Sequence, residues 1–161
     1  VEPQLNMYDE TWPIRTHHAN LPPAKFVFAG QQRRGCALDS IVCPGAILSG
    51  GLVQRSIVGR CCRVNSYACV EDSILFDGVT VGRHSRLRRT IVEKGVCIPA
   101  GMEIGFDQEE DVRRGLIRSE GGVTVVAKGG GGQSAAEAET GRGAEWPAAH
   151  GAFLPGLQPA S

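Results

Sequence analysis

The sequence lacks a prevailing charge: 17 basic residues stand against 17 acidic ones. Composition therefore selects neither nucleic acid nor an anionic membrane as a partner. No apolar run approaches the roughly 20 residues needed to cross a bilayer, and no basic-then-apolar signal opens the chain. A soluble, cytoplasmic protein is the expectation. None of the six cysteines (36, 43, 61, 62, 69 and 97) forms a Cys-x-x-Cys pair, so no metal site is expected and the thiols read as small buried hydrophobes. Two further patterns are missing. There is no sustained 3.6-residue period, which disfavours long helices, and no strand–Gly-rich-loop–helix unit to cradle phosphates.

What is present is a repeat. Ser40-Ile41-Val42, Ser56-Ile57-Val58, Ser73-Ile74-Leu75 and Thr90-Ile91-Val92 return at intervals of 16, 17 and 17 residues. Three aliphatics recur within each interval: Ile57, Val64 and Val70; then Ile74, Val81 and Leu87; then Ile91, Ile98 and Ile104. A slightly shorter coil supplies Ile41, Ile47 and Val53. Three inward aliphatics per turn imply three flat faces, and a single turn cannot bury them without neighbours stacked above and below. The spacing predicts an all-β parallel solenoid of roughly four coils, with Gly50, Gly51, Gly78, Gly82, Gly95 and Gly101 at or near its corners. The Ser/Thr before each leading Ile reads as small-residue tolerance at a corner rather than as a hydroxyl ladder.

The period breaks at residue 108, where Gln replaces the expected aliphatic. Residues 107–122 suit a short helix or exposed turn, and Gly-Gly-Val-Thr-Val-Val (121–126) a closing strand that caps the solenoid edge. From Gly129 onward the chain is rich in Gly, Ala and Pro without a period, and is expected to be disordered. The layout is an interdomain linker (1–35), a β-helix domain (36–128) and a disordered tail (129–161).

Residues 55–95 hold eight basic side chains against four acidic ones; by charge pattern alone this reads as a solvated outer face rather than an anion site. His84 stands alone without an orienting partner, so it is not expected to be catalytic.

The stretch before the coils is the most specific. Pro13, Pro22 and Pro23 favour extended backbone, and Trp12, Ile14, Phe26 and Phe28 are too apolar for a free tether. Tyr8-Asp9-x-x-Trp12-Pro13-Ile14-Arg15-Thr16, with Pro22-Pro23-Ala24-Lys25-Phe26-Val27, resembles bacterial glucose-1-phosphate adenylyltransferase (ADP-glucose pyrophosphorylase) at the junction of its two domains. The likeness continues to about residue 128.

The resemblance implies a single-stranded left-handed parallel β-helix of the hexapeptide-repeat kind, acting in oligomerisation and allosteric control. It implies adenylyl transfer from ATP to glucose 1-phosphate for glycogen synthesis, with Mg²⁺ and ATP serving the whole enzyme. It also implies homotetramers and phosphorylated metabolites as effectors. The catalytic domain of that family is not in these residues, so no catalytic residue and no cofactor are assigned here, and the chain alone is expected not to make ADP-glucose. Lys94 and Lys128 align with basic effector positions, and Trp12, Arg15, Lys25 and Phe26 fall where docking onto the catalytic domain is implied. The alternative is a free-standing hexapeptide-repeat acyltransferase working near His84.

Overall fold

The computed structural model describes residues 6, 9–13, 19–27, 29–30, 33–129 and 133–134. Its short strands stack into three parallel sheets around a common axis. The first face runs through Lys25–Val27, Ile47–Ser49, Arg63–Val64, Thr80–Val81 and Val96–Ile98. The second runs through Cys36–Leu38, Leu52–Gln54, Cys69–Glu71, Arg86–Arg88 and Glu103–Ile104. The third runs through Ile41–Val42, Ile57–Val58, Ile74–Leu75, Thr90–Val92 and Thr124–Val126. About four turns of this three-sided coil make the left-handed parallel β-helix expected from the sequence. Lys25–Val27 already pairs with Ile47–Ser49, so the Pro-rich segment contributes a rung on the N-terminal side of residue 36.

Each inward column is a stack of equivalents. Leu48, Val64, Val81 and Ile98 line the first face, Val53, Val70, Leu87 and Ile104 the second. On the third face the inward column is Val58, Leu75, Val92 and Val126, all essentially inaccessible. This corrects the expectation there by one residue. Ile41, Ile57 and Ile74 are 38%, 42% and 36% exposed; with Ile91 they form an outward row. Ile47 likewise yields the interior to Leu48.

The reason is the two-residue alternation of a strand, in which a one-residue slip exchanges inside for outside. Ser-Ile-Val offers two adjacent aliphatics, so the period alone cannot choose between them. The hydroxyl residue chooses. Ser56, Ser73 and Thr90 are buried, which sends the following Ile outward and the next aliphatic in.

Those hydroxyls do form a ladder, contrary to the simple tolerance expected from the sequence. The backbone N–H of Ser56, Ser73 and Thr90 each donates to the hydroxyl one coil earlier: Ser40 Oγ at 3.1 Å, Ser56 Oγ at 3.0 Å and Ser73 Oγ at 3.1 Å. Ser40, Ser56 and Ser73 in turn donate to the carbonyls of Leu38, Gln54 and Glu71. A buried N–H must be paired, and here a side chain continues the rung-to-rung ladder through the bend.

Left-handed backbone marks the corners. Asp39, Arg55, Asp72 and Arg89 form one column with φ between 44° and 49°. Gly50, Tyr67, His84 and Gly101 form another, and Gly45, Cys61, Gly78 and Gly95 the third. Gly82 is different: a Cβ there would lie 2.5 Å from Ala100 N, so close backbone approach explains it.

The C-terminal end departs from the repeat as predicted. Gln108–Arg113 is a short helix whose N-cap Asp107 accepts from Glu109 N and Glu110 N. Thr124–Val126 then closes the third face, and Ile117–Arg118 adds to it antiparallel. Asp111 joins these parts from a buried position, accepting from Gly105 N at 2.9 Å and Thr124 Oγ1 at 3.2 Å. Of the tail expected to be disordered, Gln133–Ser134 pairs antiparallel with Val96–Cys97; the rest beyond residue 129 lies outside the described residues.

The cysteines do not all behave as buried hydrophobes. Cys62 is buried, Cys61 is exposed, and the other four are half-buried. Cys61 occupies a left-handed corner (φ 55°), which turns its side chain out of the core. Burial pushes the Cys62 thiol up to about 11, and its Sγ lies 3.0 Å from Phe76 O.

Three outcomes follow from this packing. Replacing Ser73 by Ala strands the Thr90 N–H and should cost about 1–3 kcal/mol in denaturant unfolding. Ser73→Thr, which keeps the hydroxyl as Thr90 does, should cost markedly less. Because the folded Cys62 thiol resists ionisation, its contribution is intact below the unfolded value near 9 and is lost as pH rises towards 11. Stability should therefore fall by roughly 2–3 kcal/mol across that window, and Cys62→Val should flatten the decline. In the folded protein a thiol reagent at pH 8 should label Cys61 well before Cys62.

Candidate effector corner and docking residues

The corner beyond the third face is built by repetition at 17-residue intervals. Arg60, Asp77 and Lys94 occupy equivalent places in successive coils, with Gly78 N donating to Arg60 O and Gly95 N to Asp77 O. Arg60 reaches Asp77 Oδ2 through Nη2 at 2.7 Å and Nε at 3.0 Å, and its backbone N–H reaches Oδ1 at 2.8 Å. The Arg60 side-chain bonds, helped by that N–H, hold the Asp77 carboxyl below the usual carboxylate range. Lys94 follows as the next rung and is exposed.

The closing strand brings Lys128 to the same corner. Its backbone N–H donates to Glu93 Oε2 at 2.7 Å. Its Cε lies 3.9 Å from where a Cβ on Gly95 would sit. Lys94 and Lys128, far apart in sequence, thus become neighbours because Thr124–Val126 pairs with Thr90–Val92. Asp77 is engaged by Arg60 and Glu93 by a backbone N–H, and among the described residues neither lysine forms an ion pair. Two ammonium groups on one corner can receive an anion as point charges rather than as a planar fork.

Elsewhere some of the basic side chains of the coils pair from rung to rung. Arg55 meets Asp72 at 2.7 Å and Arg86 meets Glu103 at 3.0 Å, each one coil apart and solvent-exposed. Exposed pairs of this kind add little to stability and fit the solvated-face reading for those arginines. Arg89 donates to Gly121 O. The hollow beside the helix, lined by Asp107, Gln108, Glu109 and Val112, has the wrong sign for a phosphorylated ligand.

Among the docking candidates, Trp12 is 68% exposed and Phe26 47%. Lys25 is exposed on the strand that pairs with Ile47–Ser49, and Arg15 lies outside the described residues. Lys25 and Phe26 sit on the first rung, at the opposite end of the stack from Lys94 and Lys128. His84 occupies a left-handed corner and stacks on Tyr67 with ring centroids 4.8 Å apart.

Asp111 escaped sequence reading because it falls within an acidic run that suggests exposure; only the closing strand reveals that its carboxylate is enclosed. Among the described residues, no group of three or more His, Cys, Asp or Glu side chains is placed to hold a metal ion, and no helix is long and apolar enough to cross a membrane.

Comparison with known proteins agrees with the coil geometry. Residues 22–126 match the family model described as GlmU-like, C-terminal hexapeptide. The glucose-1-phosphate adenylyltransferase of Rhodopirellula baltica is 60% identical over 132 residues, covering 80% of this chain and 30% of that protein. Those of Trichlorobacter lovleyi and Deinococcus radiodurans are 53% and 50% identical, each over 80% of this chain and 31% of theirs. The chain thus spans about 30% of the length of these relatives. With a three-sided parallel coil and a family model matched over residues 22–126, the chain belongs to the GlmU-like C-terminal hexapeptide family, and it is similar over 80% of its length to the glucose-1-phosphate adenylyltransferase of Rhodopirellula baltica.

Proposed function

We propose that the chain serves as the C-terminal assembly and allosteric domain of a glucose-1-phosphate adenylyltransferase in the cytoplasm. The 60% identity to the Rhodopirellula baltica enzyme carries this reading. Adenylyl transfer from ATP to glucose 1-phosphate, with Mg²⁺, belongs to the catalytic domain that this β-helix partners within a homotetramer. Trp12, Arg15, Lys25 and Phe26 would meet that domain; the exposure of Trp12 and Phe26 supports a role in contact rather than in the solenoid's own core.

Regulation would enter at the Lys94–Lys128 corner. The adjacent rungs of two exposed lysines, with Asp77 already paired to Arg60, support binding of a phosphorylated metabolite. The Lys94 side chain lies one rung from a carboxylate and the Lys128 side chain follows a closing strand, so a bound anion would bridge the last coil and its cap. Each lysine supplies a point charge that a phosphate oxygen can meet without fork geometry.

The test has two arms. Incubated with ATP, glucose 1-phosphate and Mg²⁺, the 161 residues alone should release no pyrophosphate; sustained turnover would refute the assignment. Joined to the catalytic domain of a relative, Lys94→Ala or Lys128→Ala should reduce activation by a sugar phosphate about tenfold, one lost charge-assisted contact, while leaving the basal rate unchanged. Full activation in both variants would remove the corner from the mechanism.

A further inference from the structure

Thr124 is the last member of the hydroxyl column, in register with Thr90, and it breaks the column's habit. Thr90 donates its hydroxyl to Arg88 O, two residues back, as Ser56 and Ser73 do to Gln54 O and Glu71 O. Thr124 donates instead to Asp111 Oδ2 at 3.2 Å, while its N–H donates to Arg89 O at 3.0 Å. The same carboxylate oxygen accepts from Gly105 N at 2.9 Å. Arg118, opposite Thr124 on the other arm of the closing hairpin, brings Nη1 to 3.9 Å from it. That nitrogen is buried and has no hydrogen-bond partner among the described residues, so the Asp111 charge is what compensates it.

These contacts fall where the repeat no longer sets the register. In a regular coil a step of 4 residues carries the chain from the second face to the third, as from Leu87 to Ile91. From Ile104 to Val125 the step is 21, filled by the helix and the first arm of the hairpin. A connection of that length does not by itself hold the next strand at one height. A slip of one residue would turn Thr124 and Val126, both buried, to the outside. A slip of two keeps the alternation but moves Lys128 about 6.6 Å along the strand, away from Lys94. Either slip breaks the Thr124–Asp111 bond.

We propose that Asp111 is a positioning residue for the Lys94–Lys128 corner: it selects one register for Thr124–Val126, and with it the place of Lys128. The consequence for regulation rests on the effector reading of that corner; the geometry does not. Val126 pairs with Val92, which sets residue 128 level with residue 94, and the Lys128 N–H then reaches Glu93. An anion that bridges both lysines binds only chains in this register. Loosening the tie therefore lowers the apparent affinity by the fraction of chains that keep it.

The sequence supplies its own readout. Lys25, Lys94 and Lys128 are its three lysines, and Lys25 lies at the far end of the stack. A short amine-reactive cross-linker applied to the 161-residue chain should give a Lys94–Lys128 link, detected by peptide mass. Thr124→Val, which removes the hydroxyl but keeps the side-chain shape, should lower that link at least about fivefold. Thr124→Ser, which keeps the hydroxyl, should retain most of it. A role in packing alone predicts the opposite order, because valine fills the site and suits a strand better than serine. Asp111→Ala should act as Thr124→Val does. In both, amide exchange should quicken at least about tenfold over residues 117–128 while residues 57–87 keep their protection. Wild-type linking in Thr124→Val and Asp111→Ala, or faster exchange spread equally through the inner coils, would overturn the proposal.

Inorganic phosphate, as the minimal anion, should slow acetylation of Lys94 and Lys128 together in the wild-type chain and fail to do so in Thr124→Val. Loss of the link in Thr124→Val with no phosphate protection in the wild type would support the positioning role and remove the effector reading, so the two fail separately.

Discussion

Rung-to-rung backbone pairing is the constraint on which the rest of the molecule depends. In a coil stacked on itself, each residue's nearest non-local neighbour is its own equivalent one turn away. Every column must therefore tolerate self-contact. Aliphatics satisfy this by packing Val on Leu on Val. Charged residues satisfy it by alternating sign, as in Arg60–Asp77 and Arg55–Asp72. Hydroxyls satisfy it by accepting the N–H of the next coil while donating to the carbonyl two residues back.

The corners show what this regularity costs. A flat triangular turn needs left-handed backbone at all three vertices, and the chain places Asp, Arg, Tyr, His and Cys there as well as Gly. A non-Gly residue in that region gives up roughly 1 kcal/mol. Some of these residues find partners there: Arg55 pairs with Asp72, and Tyr67 and His84 stack on each other. Corners thereby become the places where side chains leave the surface and meet in columns. Lys94 and Lys128 are the version of this at the end of the described stack, where a lysine rather than a carboxylate follows Lys94.

A solenoid also has ends and flat sides, and both carry consequences. Asp111 secures the C-terminal end by tying the helix, Gly105 and the closing strand through one buried carboxylate. The flat third face keeps an apolar row outward because the hydroxyl column occupies alternate inward places. One sequence feature, Ser before Ile, thus both continues the internal ladder and creates an external surface.

How much of this was legible follows from the physics of each element. The 17-residue return of Ser-Ile-Val, Ser-Ile-Leu and Thr-Ile-Val by itself determined a stacked three-sided coil, its approximate number of turns and its glycine-bearing corners, because only stacking lets such short strands bury their aliphatics. The Trp-Pro-Ile-Arg-Thr and Pro-Pro-Ala-Lys-Phe-Val motifs likewise carried the family. Strand parity was not legible, since Ile57 and Val58 are equally apolar and only enclosure of Ser56 decides which turns in. Nor was the meeting of Lys94 with Lys128, the enclosure of Asp111 or the exposure of Cys61. Each depends on which backbone lies alongside, and a spacing along the chain does not contain that distance.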